Sequence, residues 1–408
     1  MKILLANWVY NWGSTGYILR DLKNEFEKIG HEVVIAAAEV YGVREEKVYS
    51  FGKPFEWNIM SRLSRFGWPR FKGSTFATKR LINIIKKENP DVVNLHLLHG
   101  ARLNFYYLLK YLGQHNVKTV VTNHAELYYT GSCGYSYDCN NWIDCECKNC
   151  PDKKYATYAY VFANPHMHWK LMKNAFDYFK KDYLCFTAVS PWVQDRFYKS
   201  PIVHGYNCSV VINGIDTDTF CIRRDSNVIE SKFGKNKPFY ILHVTANFVP
   251  DVPEDVKGGY YLVELARKMP NVTFVVVCTA NKEVNNLPDN IKIWGKSKNQ
   301  EELSVLYSNA EMTLLVSRRE TFSMVTAESL CCGTPVVGFK AGGPESIAIE
   351  DASIFVNQKD VDALSKAIVT MREKHINRDS LSKIARKKFS AESMANGYLS
   401  VYKEFLKQ

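Results

Sequence analysis

An α/β protein with two parallel-sheet domains is predicted by three observations. Short, continuously apolar, β-branched runs alternate with amphipathic stretches of helical length almost from end to end. That alternation pauses and restarts once, near residue 223. And 408 residues suffice for two domains, each with its own core. Strands without polar alternation are those covered on both faces, which is the condition of a parallel sheet. An apolar fraction of 46% and a charged fraction of 23% exclude disordered and fibrous classes. No run approaches the about eighteen apolar residues of a membrane span, and residues 2–7 turn polar too soon for a signal peptide. A cytoplasmic setting is therefore expected.

In chain order, residues 2–6 read as a buried strand, Gly13–Gly16 as a glycine turn, and 17–28 as a helix closed by Gly30. Strands follow at 31–38, 91–95, 118–122, 186–189 and 209–212, with a helix at 103–112. The polar stretch Arg223–Lys237 marks the boundary. Beyond it, strands are expected at 239–244, 272–278, 291–294, 312–316 and 335–339, and helices at 259–268, 301–308 and 322–331. Tyr398, Val401, Tyr402 and Phe405 lie at helical spacing in a final amphipathic helix, 391–408. Two runs of this grammar imply two Rossmann-like domains facing a cleft. There is no internal repeat and no low-complexity tract.

The densest chemical signal is Ser317–Glu328, which leaves an apolar strand and enters a helix. Unpaired backbone amides at that helix start, near Ser323, Met324 and Val325, form a ready anion site. Glu320 lies just outside the helix and Glu328 two turns on, both near the strand's carboxyl end, where open α/β sheets take ligands. Alone, two such glutamates read more simply as a dipole complement and a solvated helix residue. Their neighbours change that reading. Lys257-Gly258-Gly259 leads into a helix upstream, and Gly333-Thr334-Pro335-Val336 and Gly342-Gly343-Pro344-Glu345 follow downstream.

Together these motifs resemble family 4 of the retaining glycosyltransferases, which adopt the GT-B architecture; Glu320 and Glu328 match its E-x7-E signature. The resemblance implies a nucleoside-diphosphate sugar donor, retention of anomeric configuration and no cofactor for catalysis. Lys257, with Gly258, would neutralise the diphosphate, Glu320 would contact the donor sugar and Glu328 the ribose. Domains are expected at 1–222 (acceptor), 223–385 (donor) and 386–408, a helix returning toward the first. The arginine that usually accompanies the lysine is absent: the positions read Val256 and Ala246-Asn247, and Arg318 or Arg319 would have to substitute.

In the first half, Gly16 at the opening helix and Thr122-Asn123-His124, with Thr130-Gly131 after it, resemble the family's donor-bordering segments. His124 is thereby a catalytic candidate, with Glu126 the candidate carboxylate partner, since Ala125 stands where the family has aspartate. His96 ends another strand and is a candidate acceptor contact. Asn213-Gly214-Ile215-Asp216 resembles the family's structural exit turn.

Five cysteines lie within residues 131–151. Cys133, Cys139, Cys147 and Cys150 could supply four thiolates to a structural zinc, with Cys145 spare; reduced packed thiols and disulfides are the other readings. The pattern, with Trp142, resembles an insertion in a polysaccharide-building branch of the same family.

The net charge of +11 favours anionic partners. Residues 57–87 contain no acid but eight bases, interleaved with Phe66, Trp68, Phe71 and Phe76. That mixture suits an anionic bilayer; a solvated basic face with inward aromatics is the simpler alternative. The expectation is a glycosyltransferase of surface polysaccharide biosynthesis, capsule or exopolysaccharide. It would act at the inner face of the cell membrane on a glycan or lipid-linked glycan acceptor. A nucleotide-sugar epimerase on the same fold and a catalytically degraded partner protein are the alternatives; nucleic-acid binding lacks any recognition-helix pattern.

Overall fold

The computed structural model describes residues 1–42, 45–225, 227–234, 239–280 and 286–407. Part of the predicted boundary stretch 223–237, and the last residue of the predicted terminal helix, lie outside them. The chain divides into two compact units, Met1–Asn213 with Met394–Gln408, and Gly214–Ser393.

In the first unit the strands are β1 (Lys2–Tyr10), β2 (Glu32–Val40), β3 (Val48–Ser50), β4 (Val92–Leu95), β5 (Thr119–Asn123), β6 (Leu184–Ala188) and β7 (Cys208–Val210). They form one sheet in the order β3-β2-β1-β4-β5-β6-β7, every pair parallel. Strand order reverses between β1 and β4, the topological switch point of a doubly wound sheet. Ile3, Leu5, Val33 and Ile35 bury one sheet face under Leu19, Leu22 and Phe26 of the Gly13–Lys28 helix. The predicted turn at Gly13–Gly16 is that helix's first turn. The terminal helix, Ala391–Lys407, adds Tyr398, Tyr402 and Phe405 to the same core. Its Tyr402 hydroxyl accepts from Asn94 at 2.6 Å, and Asn94 accepts from Thr122, which accepts from Thr187. A polar thread thus crosses three strands and ends in the helix.

The second unit repeats the arrangement. Strands β8 (Tyr240–Asn247), β9 (Thr273–Ala280), β10 (Ile291–Gly295), β11 (Met312–Leu315), β12 (Val336–Phe339) and β13 (Ser353–Val356) order as β10-β9-β8-β11-β12-β13, all parallel. The switch point lies between β8 and β11. Both units are therefore Rossmann-like α/β domains. The chain enters this unit at Asn213-Gly214-Ile215-Asp216. Ile215 donates to the Phe389 carbonyl, and a Cβ on Gly214 would come within 2.8 Å of the Ala391 backbone. Residues 214–225 pack here rather than on the first unit because the Cys221 carbonyl takes Ser304 and Ser308, and the Arg223 amide donates to Ser308.

Candidate active site

At the β8–β11 switch point the loop before the Gly259–Lys268 helix lies on the end of β11. The Arg318 amide donates to the Val256 carbonyl at 2.8 Å. Gly258 has φ 71°, and a Cβ there would meet the Val316 carbonyl oxygen at 2.0 Å, so only glycine permits the approach. The contact brings Lys257 to Glu320: Nζ donates to Oε1 at 2.7 Å, with both side chains partly exposed.

Glu320 is held from its other side. Its amide donates to Ala341 O and its carbonyl accepts from Gly343. The Glu345 carboxylate in turn takes the Ala341 and Gly342 amides at 2.9 and 2.8 Å. A Cβ on Gly343 would strike the Thr321 backbone at 2.4 Å. The Gly342–Glu345 turn is thus the seat of Glu320, a structural job for a motif that reads as a signature.

Ser323 caps the Met324–Cys331 helix at φ 80°, a left-handed conformation costly for a residue with a Cβ. Its hydroxyl accepts from Thr326 N at 3.2 Å. The amides of Met324 and Val325 have no intrahelical acceptor, and no acid stands in the first turn. An anion at this start meets two donors and the positive end of the helix dipole. Further along, Glu328 accepts from the buried Tyr307 hydroxyl at 3.0 Å. Burial lifts its carboxyl to about 7, and the tyrosine bond only partly opposes the rise. Arg318 is committed to Glu254, bonding its carbonyl at 2.8 Å and its carboxylate at 2.7 Å.

The strand-end histidines at the first unit's switch point are neutral. Asn7, in β1 just past its pairing with β4, accepts from the Leu97 amide and donates to Val9 O and Thr15 Oγ1, stitching β1 to the loop after β4 and to the first helix. His96 Nδ1 and His124 Nε2 meet at 2.9 Å with stacked rings. Burial holds both below the usual histidine range, His124 at about 3. His96 is fully buried, against Tyr398. The expected acceptor contact is thus corrected: a side chain with no accessible surface supports His124 and does not meet a ligand. Glu126 is not the partner of His124 either. It is buried with Arg196, takes the Ser136 amide and accepts from Tyr129, so it anchors the cysteine-rich insertion. Gly16 sits inside the first helix, where a Cβ would come within 3.3 Å of Val9 and of the Asn11 amide. Its role is close packing of helix on strand.

All eleven cysteines are free thiols. Among the described residues no group of three or more His, Cys, Asp or Glu is placed to hold a metal. Cys133, Cys139, Cys147 and Cys150 nevertheless lie near enough to raise one another's thiols, and no step of the chemistry needs a metal on them. Buried Trp142 organises the insertion: its indole donates to Cys139 O, and Trp169 donates to its carbonyl. Burial and neighbouring thiols push Cys147 up to about 12. Sequence patterning separated neither this tryptophan post nor the Glu126–Arg196 pair from chemistry.

In the basic segment, the Pro54–Phe66 helix exposes Phe55, Ile59, Leu63 and Phe66, and Trp68 and Phe76 are exposed beyond it. Phe71, expected in that patch, is core. Arg62, Arg65, Lys72 and Lys79 are exposed, whereas Arg80 is paired with Glu56. No helix among the described residues is long and apolar enough to cross a membrane.

Two parallel Rossmann-like sheets, the second with an ammonium, a helix start and two glutamates at its crevice edge, define a glycosyltransferase of the GT-B class. Residues 256–388 match the family model "Glycosyl transferases group 1", and residues 15–219, half of the chain, match "Glycosyltransferase Family 4". The chain belongs to Glycosyltransferase Family 4. It is 27% identical to N-acetyl-alpha-D-glucosaminyl L-malate synthase of Bacillus anthracis, over all of this chain and 98% of that one. Its fold superposes on sucrose-phosphate synthase of Thermosynechococcus elongatus with a TM-score of 0.67 at 15% identity, covering 100% and 99% of the two chains. It superposes on Anabaena HepE in complex with UDP-glucose with a TM-score of 0.64 at 15% identity, covering 99% and 100%.

Proposed function

We propose that this glycosyltransferase moves a sugar from a nucleoside diphosphate to a glycan with retention of configuration, and that the acceptor is carried by a lipid during assembly of a surface polysaccharide. The observation that carries the donor half is the convergence of Lys257, Glu320, the Met324 and Val325 amides and Glu328 on one sheet edge. As the glycosidic bond to the diphosphate lengthens, negative charge grows on the phosphate oxygens. The Lys257 ammonium and the helix-start amides stand ready for that charge without reorganising, the kind of contribution that usually dominates catalysis. Two such donors can balance the leaving group with no metal in the step. Glu320, held by the Gly342–Glu345 turn, orients the donor sugar while its bond to Lys257 yields to the phosphate. Glu328 accepts ribose hydroxyls. The acceptor hydroxyl attacks from the face the phosphate leaves, and the departing phosphate oxygen takes its proton. His124, held by His96, offers a neutral dipole to a sugar hydroxyl at the edge of the first sheet. The relative's name joins N-acetylglucosamine to L-malate, and the fold neighbour's UDP-glucose supports a uridine donor.

Screening nucleotide sugars by thermal unfolding tests the donor. A bound donor at a hundred times its Kd adds about 2.7 kcal/mol. One sugar should raise the Tm of the wild type by several degrees and that of Glu328→Ala far less; a panel without effect, or an equal rise in both proteins, defeats the reading.

The exposed Phe55, Ile59, Leu63 and Phe66 stripe flanked by Arg62 and Arg65 supports a bilayer-docking face. Vesicles with 30 mol% anionic lipid should retain the protein at low salt and release it at high salt. Equal retention by neutral vesicles would remove the membrane from the proposal.

A further inference from the structure

Of the eight bases in residues 57–87, Arg70 has an environment unlike the others. It lies in the connection between the helices Pro54–Phe66 and Thr75–Glu88, largely withdrawn from solvent. The first unit's other inward-facing arginines have acids: Arg80 has Glu56, Arg102 has Glu39 and Arg196 has Glu126. Arg70 has none within ion-pair distance among the described residues. Its Nη2 lies 3.3 Å from His99 Nδ1, its Cζ stands 3.9 Å over the Tyr158 ring, and its Nη1 is buried with no hydrogen-bond partner.

The neighbours cannot supply the missing charge. His99 is held neutral at about 3 by burial and by Arg70 and Arg102, and His168 at about 4 by burial and Arg70. Tyr155, Tyr158 and Cys133 complete the surroundings, and burial pushes Tyr155 and Cys133 above their ordinary values, so neither of those two carries a charge. A guanidinium does not shed its proton to escape burial, so it keeps a whole charge in a poorly solvated place, an arrangement that a fold optimised only for stability avoids. The location adds the second half of the argument. His99 follows the carboxyl end of β4, and its ring is 5.7 Å from Trp8 of β1. Arg70 therefore stands by the switch point of the first sheet, the edge at which doubly wound sheets take ligands.

We propose that Arg70 is an anion-binding residue of the acceptor half, and that the acceptor presents a phosphate or carboxylate to this guanidinium, with Tyr158 stacked on its other face. The inference rests on the reading of Met1–Asn213 as the acceptor-binding half. It deepens that reading by giving the acceptor a charge and a point of attachment.

The test uses the full-length protein and two probes, inorganic phosphate and malonate, each against sodium chloride of matched ionic strength. Thermal unfolding of the wild type should respond to one probe at millimolar concentration and not to chloride; which probe acts separates phosphate from carboxylate. Arg70→Met should leave the Tm of the free protein unchanged or raised, because it removes a charge with no partner, and should weaken the anion response at least about tenfold. Arg70→Lys keeps the charge but loses the fork, and should weaken the response less than Arg70→Met does. Equal responses to phosphate, malonate and chloride would overturn the proposal, as would an unchanged anion response in both variants. Should Arg70→Met fail to fold, the wild-type and Arg70→Lys titrations decide by the same criteria. The nucleotide-sugar panel is run on the same proteins. Stabilisation by a nucleotide sugar without any anion response defeats only the anion site, whereas an Arg70-dependent anion response without any nucleotide-sugar effect defeats the donor reading and leaves the anion site standing.

Discussion

At the carboxyl edge between β8 and β11, a lysine and a glutamate meet at 2.7 Å with part of each side chain in solvent; at the corresponding edge between β1 and β4, two histidines meet at 2.9 Å and are withdrawn from it. The strand order around the two switch points is the same. Topology therefore fixes where a ligand edge forms, and the residues at the strand ends decide what the edge can bind. A leaving diphosphate needs a mobile cation and unpaired amides. A sugar hydroxyl needs only a well-placed dipole, and a neutral histidine supplies one without repelling or ionising a neutral substrate.

The hardest blow to this contrast would fall on Lys257. Replacement by alanine removes the ammonium that meets Glu320 at the β8–β11 edge. We expect turnover to fall by about 10² to 10³-fold, the usual loss for a preorganised charge-stabilising donor. Stability should change by less than about 1 kcal/mol, because a partly exposed ion pair contributes little. Steady-state kinetics with denaturant unfolding on the same preparation separates the two. A large stability loss with modest kinetic change would mean that the pair is structural, and the two edges would then differ less than their charges suggest.

Much of this was open to sequence reading, for reasons that can be located. Apolar runs such as Val272–Cys278 predict buried strands because both their faces must be covered, and the observed strand Thr273–Ala280 follows that one closely. The strands β3 and β13 escaped notice: Val48–Ser50 is three residues long, and Ser353–Val356 is only half-buried at a sheet edge, so neither carries a strong pattern. Lys257 and Glu320 stand out in the sequence because glycine motifs accompany them, and those glycines alone allow the close approach of Gly258 to Val316 and of Gly343 to Thr321. His96 was misread because a strand-end histidine looks the same in sequence whether it faces a ligand or another histidine. Glu126 was assigned to its sequence neighbour, whereas its partner, Arg196, lies seventy positions away. The cysteines do gather, with Cys139, Cys145 and Cys150 near enough to raise the Cys147 thiol, but spacing alone does not say what such a cluster binds.

The next prediction sharpens the comparison through pH. Glu328 is lifted from 4.5 to about 7 by burial, so in the folded protein it is protonated where the unfolded chain is already ionised. Between about 4.5 and 7 the folded state binds more protons, and this residue's contribution to stability falls as pH rises through that window. The loss is at most about 3 kcal/mol. Ribose hydroxyls donate to the ionised form, so donor affinity should run the other way and rise between pH 5.5 and 7.5, by about tenfold. Glu328→Gln should flatten the stability slope and lose the affinity gain. A variant that keeps both slopes would place the responsible group elsewhere.

The histidine pair should bend stability in the opposite direction. His124 falls to about 3 and His96 lies below its ordinary 6.5, both through burial. Below 6.5 the unfolded chain binds protons that the folded pair refuses, so its contribution is complete above that pH and is lost as the medium becomes more acidic. His99 and His168, held at about 3 and 4, add to the same slope, and the pair's share is read by difference. His96→Gln keeps a donor for His124 Nε2 but cannot titrate. It should unfold within about 1 kcal/mol of wild type at pH 7.5 and lose stability less steeply between pH 6.5 and 5. His96→Leu removes the donor and strands a buried ring nitrogen, at a cost of about 1–3 kcal/mol at every pH in that range. If His96→Gln and wild type decline in parallel, the pair is not what acid attacks, and the neutrality of the two histidines loses its support. If His96→Leu is as stable as wild type, the contact at 2.9 Å does not position His124, and that residue would have to be oriented by its ligand instead.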